Sequence, residues 1–459
     1  MIKLDLRHFA FIALIFAVIS PPRPVAAQSK PAPSEGLVPV AIFDGVNQAG
    51  FMPKSNSVVL VSGTSGRVSE VTASGQEKVS ASFQVPVGTE ASFIDRTGQF
   101  GFIGGLKSEG ALAGSLALPS GQILSSIPNT LLWSQYPSET PSPYNHQVVA
   151  FSSEANLALT WLYSKDGVSR ILGLVDGRTS QVLQTLGTSI GDGSIKHAAL
   201  SQSGQRLALV QNFQGRREWA LVTVFDLTNG RTLARQEFLR AARPRFSPDD
   251  QALVLEGARS EQDLRRQVLF WKLGAKGGAQ IWLPVAPSLE GVAFAQEGNQ
   301  VVIADGTSLS AWSTLDGTEF WRVPLQDYAS LVASASGDRV MTLGRNTTVL
   351  WGRGSLNEIL SNAAADRSGE RSYFASRVFA NGLGLPKDAE RAEALLNNSV
   401  ALGHKPAIQV AIRRIESDYR NGDPISCSTV LDLYNKAKRA ALNVSVRGVF
   451  SQCGLKPQK

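Results

Sequence analysis

Most of the chain is built on one recurring pattern of apolar and polar positions. An apolar residue is followed by four to six polar or turn-forming residues and then by an apolar run. The pattern reads "FMPKSNSVVLV" from Phe51, "FIDRTGQFGFI" from Phe93, "FSSEANLALTW" from Phe151 and "LSQSGQRLALV" from Leu200. It continues with "FSPDDQALVLE" from Phe246, "FAQEGNQVVIA" from Phe294 and "ASASGDRVMTL" from Ala333. The mean interval is about 47 residues, within the range where a repeat signals an array of small supersecondary units. Each unit carries a second turn whose glycine falls 21 to 32 residues after its start. These turns are Ser74-Gly75, Ser120-Gly121, Asp176-Gly177, Asn229-Gly230, Gly277-Gly278, Asp316-Gly317 and, more weakly, Arg353-Gly354. Such pairs supply the positive backbone angles of tight hairpins.

Between the turns lie alternating β-formers such as "ALVTVFDL" (220–227) and "RQVLFWKL" (266–273), with a further short strand after the second turn. Four antiparallel strands per unit predict a β-propeller of seven blades over 37–360. The last unit runs out after Trp351, whereas "LVPVAIF" (37–43) has no unit of its own; it is predicted to complete the last blade and leave no exposed edge. The stretches "FSPDD…VLFWKL…GG" resemble WD40-type repeats, with Phe225-Asp226, Trp271-Lys272, Trp312-Ser313 and Trp351-Gly352 near the position of that family's Trp-Asp pair. The resemblance is degenerate, since only Phe225-Asp226 keeps the aspartate and the Gly-His pair is absent.

After Trp351 the apolar period changes from two to three and four, which predicts helices. From Tyr373 the chain reads "YFASRVFANGLGLPKDAERAEALLNNSVALGHKPA". One helix should end at Asn381-Gly382, a second open at Pro386 and Asp388 and stop at Gly403, and a third start at Pro406. Phe379, Gly382, Gly384, Asp388, Ala392, Gly403 and Ala407 match the motif of a Sel1-like repeat, a helix pair related to the TPR. That resemblance implies a small all-α repeat domain, 361–459, presenting a concave surface to protein partners. A weaker second copy follows at Tyr419, Asn421-Gly422 and 429–442, and a short helix over 444–452 would cap the array.

The first residues set the compartment. Lys3, Arg7 and His8 precede an apolar run from Phe9 to Ile19 and then Val25-Ala26-Ala27, the layout of a cleavable secretory signal over 1–27. Residues 28–36 then read as a linker. The apolar run is too short to span a bilayer, and no later segment approaches the required length; the expected location is the bacterial periplasm, or secretion. In the Sel1-like geometry Cys427 opens one helix and Cys453 closes the next, antiparallel one, so that with export a Cys427–Cys453 disulfide is expected.

Net charge changes this picture little. Residues 366–459 carry 15 basic and nine acidic residues, so the excess belongs to the helical tail. It lacks the interleaved aromatics of a nucleic-acid reader, and no nucleic-acid partner is expected. His146, His197, His404 and the two cysteines show no metal-ligand spacing, so neither metal nor cofactor is predicted. "LDGTEFWRV" (315–323) resembles the tryptophan docking motif of quinoprotein propellers, but Trp321 stands alone and a wedge between blades accounts for it. Two loops remain as candidate contacts. "WSQYPSETPSPYNHQ" (133–147) could present Trp133, Tyr136 and Tyr144 to a partner or fold back over the ring, and the arginine-rich "RTLARQEFLRAARPR" (231–245) could take an anion or be an exposed inter-blade loop.

The reading that follows is a non-enzymatic protein-interaction scaffold of the cell envelope, using propeller loops and a helical repeat surface. A quinoprotein-like enzyme or cofactor-binding propeller is the alternative, and envelope polysaccharide binding through the aromatic loop is the weaker one.

Overall fold

The computed structural model describes residues 36–455 except 54, 56, 73–74, 105–110, 129–145, 164–169, 180, 189–193, 214–215, 217, 275–277, 286–290, 296–297, 326–329, 345–346 and 446. The expected signal peptide, nearly all of the linker, and Trp133, Tyr136 and Tyr144 lie outside the described residues.

The first strand is β1 (Gly36–Asp44). One sheet follows from β2 (Gln48–Phe51), β3 (Ser57–Ser62), β4 (Ser65–Val71) and β5 (Glu77–Gln84). The next is β6 (Thr89–Ile94), β7 (Phe100–Gly104), β8 (Ala111–Ala117) and β9 (Gln122–Pro128). Then come β10 (His146–Ser152), β11 (Leu157–Tyr163), β12 (Arg170–Asp176) and β13 (Val182–Thr188). A sheet of seven strands joins β14 (Ile195–Leu200), β15 (Arg206–Asn212), β16 (Trp219–Asp226), β17 (Thr232–Phe246), β18 (Ala252–Ala258), β19 (Gln267–Lys272) and β20 (Gln280–Leu283). Four more strands follow: β21 (Val292–Ala295), β22 (Gln300–Ala304), β23 (Ser308–Ser313) and β24 (Glu319–Pro324). The last sheet is β25 (Ser330–Ala333), β26 (Arg339–Leu343) and β27 (Thr347–Gly354), with β1 added antiparallel outside β27.

The first strands of consecutive sheets touch: β2 meets β6, β10 meets β14, β21 meets β25, and β25 returns to β2. Antiparallel sheets that follow one another around a closed circuit in this way make a β-propeller. The second strand of each sheet shows why the apolar runs are continuous rather than alternating. In β3, Val58 and Leu60 pack with Phe43, Met341 and Leu350 on the last sheet, whereas Val59 and Val61 pack with Phe100 and Phe102 on the next. β15, β18 and β22 divide their side chains in the same manner, so each second strand is buried on both faces. Outer strands such as β5 are mostly exposed.

The turn between first and second strands needs one left-handed residue. Gly98, Asn156, Gly204, Asp250, Gly298 and Gly337 fill it, with φ between 52° and 96°. Glycine pays no steric penalty there, and Asn and Asp are the side chains that best tolerate it.

Two expectations change. The segment 231–245 is not a loop: it lies in β17, one 15-residue strand that closes one set of pairings and opens the next. Register shifts flank Ala242, with Arg240 and Arg243 at positive φ, and these let a single strand serve both neighbours. Arg353-Gly354 is likewise no turn, because both residues continue β27 and pair with Leu37 and Gly36.

The chain then turns helical at Leu356, so the change of architecture falls at Gly354–Ser355 and not at 360–361. The helices are α1 (Leu356–Ala364), α2 (Glu370–Asn381), α3 (Ala389–Ala401), α4 (Lys405–Asn421), α5 (Cys427–Arg439) and α6 (Val449–Gln452). The last is shorter than the expected 444–452. Consecutive helices contact one another from α1 to α6. This part is fastened to the ring: Val378 and Leu383 share a buried cluster with Leu37, Leu325 and Trp351, and Ile359, Ala363 and Ala375 pack on Val38. Gly384 N–H donates to the Pro324 carbonyl at 3.2 Å, and Arg377 forms a two-pronged ion pair with Asp44. No helix among the described residues is long and apolar enough to cross a membrane.

Candidate interaction surfaces

Several turns between first and second strands are tied to one another by side chains. Asp95 is buried and accepts at one carboxylate oxygen from Thr97 N–H, Thr97 Oγ1 and Gln99 N–H, and at the other from Ser153 Oγ on the next sheet. Arg96 grips Glu154 with two nitrogens, at 2.9 and 2.6 Å, and donates to the Pro248 carbonyl at 3.2 Å. Gln202 Nε2 reaches back to the Ile94 carbonyl at 3.3 Å. Burial raises the Asp250 carboxyl above its ordinary range, against a hydrogen bond from Ser203 and the charge of Arg96; Glu154 raises Arg96. These charged groups are therefore engaged in binding loop to loop.

Elsewhere on the ring, three of the five arginines of 231–245 have partners. Arg240 pairs with Glu218, Arg243 with buried Glu256, and Arg245 donates to the Val292 carbonyl at 2.7 Å. His197 is half-buried, and burial and then the nearby Arg243 and Lys196 hold its pKa down. Trp312 Nε1 donates to Ser310 Oγ at 2.8 Å, and Trp351 Nε1 to Thr342 Oγ1 at 2.9 Å, both between buried groups. Trp321, on β24, packs partly buried against the cluster that holds Leu37 and Trp351. The stretch Gly187-Thr188-Ser189-Ile190-Gly191 has G-x-S-x-G spacing, which sequence reasoning missed. Its Gly187 and Thr188 are the last residues of β13, and 189–191 lie outside the described residues. Among the described residues, no group of His, Cys, Asp and Glu is arranged to hold a metal ion.

In the helical part, the residues singled out from sequence serve local structure. Phe379, Ala392 and Ala407 are buried. Asp388 caps α3 by accepting from Arg391 N–H at 2.9 Å, and Arg391 stacks 4.8 Å from the Phe379 ring. Gly382 ends α2 at φ 65°, where its N–H finds the Val378 carbonyl, and Gly403 stands at φ 82° after α3. Gly384 lies against Pro39 and the Trp351 ring at φ 73°, a left-handed backbone that a side chain would strain. Cys427 and Cys453 form a disulfide, with an S–S distance of 2.01 Å.

Two adjoining cavities of about 700 and 680 Å³ open where the helices meet the ring, and both are lined by Asp44, Tyr373 and Arg377. The first runs between α2, α3 and α4. Its walls carry Arg377, Lys387, Arg413 and Arg414 against Asp44 and Glu393, over an apolar floor of Ala392, Leu396 and Val410. Arg414 reaches Glu393 at 3.4 Å, and Arg377 is held by Asp44 and lies 5.8 Å from the Tyr373 ring. Burial raises the Tyr373 hydroxyl above its ordinary pKa. Lys387 and Arg413 are exposed and have no carboxylate partner among the described residues. Sequence reasoning missed this site because Asp44 and Arg377 stand 333 positions apart.

No protein-family model matches the chain, and no curated protein matches it. Among solved structures it is similar to the Kuenenia stuttgartiensis hydrazine synthase, at 15% identity over 67% of this chain and 95% of that one, with a TM-score of 0.44. It is also similar to a chain of the mitotic checkpoint complex, at 15% identity over 76% of this chain and 99% of that one, with a TM-score of 0.45.

Proposed function

We propose that the chain is an exported, non-enzymatic protein-interaction scaffold: a seven-bladed propeller with Sel1-like helical repeats, working in the bacterial periplasm or cell envelope. The observation that carries the reading is the rigid joining of two binding-type architectures. The helices are packed into the ring's closing sheet through Val378, Leu383 and Gly384, and at that junction they leave a concave charged surface open. A fixed concave surface suits protein docking, since little ordering entropy is lost on binding. The charged loop groups of the ring support it too, because Asp95, Arg96 and Glu154 are committed to holding loops together. Seven apolar clusters, each between one sheet or half-sheet and the next, support the blade count. The disulfide is in keeping with an oxidising compartment.

The test is photo-crosslinking in the cells that make the protein, with a photoreactive residue at exposed Arg413, at Trp133 and, as a control, at exposed Val87 on the ring. A discrete partner adduct at Arg413 or Trp133, absent at Val87, is expected. Identical smears at all three positions, from protein that elutes as a folded species, would remove the scaffold reading.

A further inference from the structure

We infer that the cavity between α2, α3 and α4 binds an acidic, extended segment of a partner protein: carboxylates at its cationic rim and an apolar side chain on its floor. The inference rests on the scaffold reading and specifies the chemistry of the partner. Three observations lead there. Of the four cations on the walls, Arg414 and Arg377 are each paired within the chain, while Lys387 and Arg413 line the cavity with no carboxylate partner among the described residues, which leaves an excess of positive charge. The floor of Ala392, Leu396 and Val410 is apolar, so a fully polar anion would leave it uncovered. At the inner end, Asp44 already occupies the Arg377 guanidinium with both carboxylate oxygens beside the Tyr373 ring. That internal pair shows that a carboxylate fits this corner, and the planar guanidinium favours two-pronged recognition. A cavity of about 700 Å³ lies within the size range of ligand-binding clefts.

The test uses the full chain and a fluorescein-labelled octapeptide of glutamate and leucine, read by fluorescence anisotropy at physiological ionic strength, where long-range attraction is screened. The same peptide with glutamine for glutamate, and a sulfated heparin oligosaccharide, serve as comparisons. The glutamate peptide should bind at least tenfold more tightly than the glutamine peptide. K387E/R413E should lose at least tenfold, and K438E/R439E, which changes the same charge on exposed positions of α5, should lose less than twofold. Both pairs are exposed, so neither variant should disturb folding. Equal binding of the two peptides, equal loss in the two variants, or binding of the oligosaccharide without the glutamate peptide would each overturn the inference. If the peptide fails while the Arg413 adduct persists in cells, the scaffold reading stands and only the acidic chemistry falls.

Discussion

Opening the Cys427–Cys453 disulfide should loosen the end of the helical array and leave the ring intact. The bridge spans 26 positions. For a loop of that length, the chain-entropy relation gives about 3.5 kcal/mol of stabilisation at 25 °C. Where that energy appears depends on what α5 and α6 touch. They contact α4 and each other, whereas the contacts to the ring run through α1, α2 and the turn after it. The loss should therefore appear as local opening, since structural units with few outside contacts unfold on their own. Amide exchange in α5 should accelerate roughly 300-fold when the bridge is reduced, the rate equivalent of that energy. Cys427 is exposed and Cys453 partly so, which lets a small thiol reach them. The assay is hydrogen exchange read by mass spectrometry, with and without dithiothreitol, and with C427S/C453S as the permanent form. Unchanged exchange in α5, or a loss spread evenly over the propeller strands, would refute the argument that the terminal helices are stapled only to one another.

Other consequences are as direct. Trp351→Phe leaves Thr342 Oγ1 without its indole donor in a buried site and should cost about 1–3 kcal/mol in urea unfolding, with Thr342→Val in the same chain recovering part of it. Leu383→Ala empties part of the ring-to-helix cluster and should cost about 2–5 kcal/mol, with faster proteolysis between Gly354 and Glu370 as the local sign. His197 and His404 both have pKa values lowered by burial, so the folded state holds their protons less tightly than the unfolded chain. Their contribution is present above about pH 6.5, the unfolded value, and is lost as pH falls through their lower folded values. Thermal unfolding should therefore move to lower temperature between pH 7.5 and 5.5, with a shallower slope in His404→Gln.

How much of this was legible in the sequence depended on whether the cause was local. Residues such as Leu207–Val210 and Leu253–Leu255 are buried on both faces, so they spell continuous apolar runs, and the turns before them need a left-handed residue, which Gly204 and Asp250 supply. The helix ends were legible for the same reason: Gly382 and Asp388 act on backbone within four positions. The cysteine pair was legible through the helix geometry that the Sel1-like pattern implied. What lay hidden joined distant positions. Nothing near Arg377 announces Asp44, and nothing near Arg96 announces Pro248. The long β17 was hidden differently: charge and a proline made 231–245 look like loop, but Arg240 is matched by Glu218, just before β16, and Arg243 by Glu256 on β18.

The position of β1 bears on how the molecule comes into being. A chain made from its N-terminus produces Leu37–Phe43 first, yet the partner of that strand, β27, follows about three hundred residues later. Every sheet from β2 to β24 can assemble while β1 still waits with both edges unpaired. The strand made earliest is thus among the last to be placed, and contacts so far apart in sequence form slowly. Until then the chain carries an apolar strand with unpaired edges, a template on which another chain could pair.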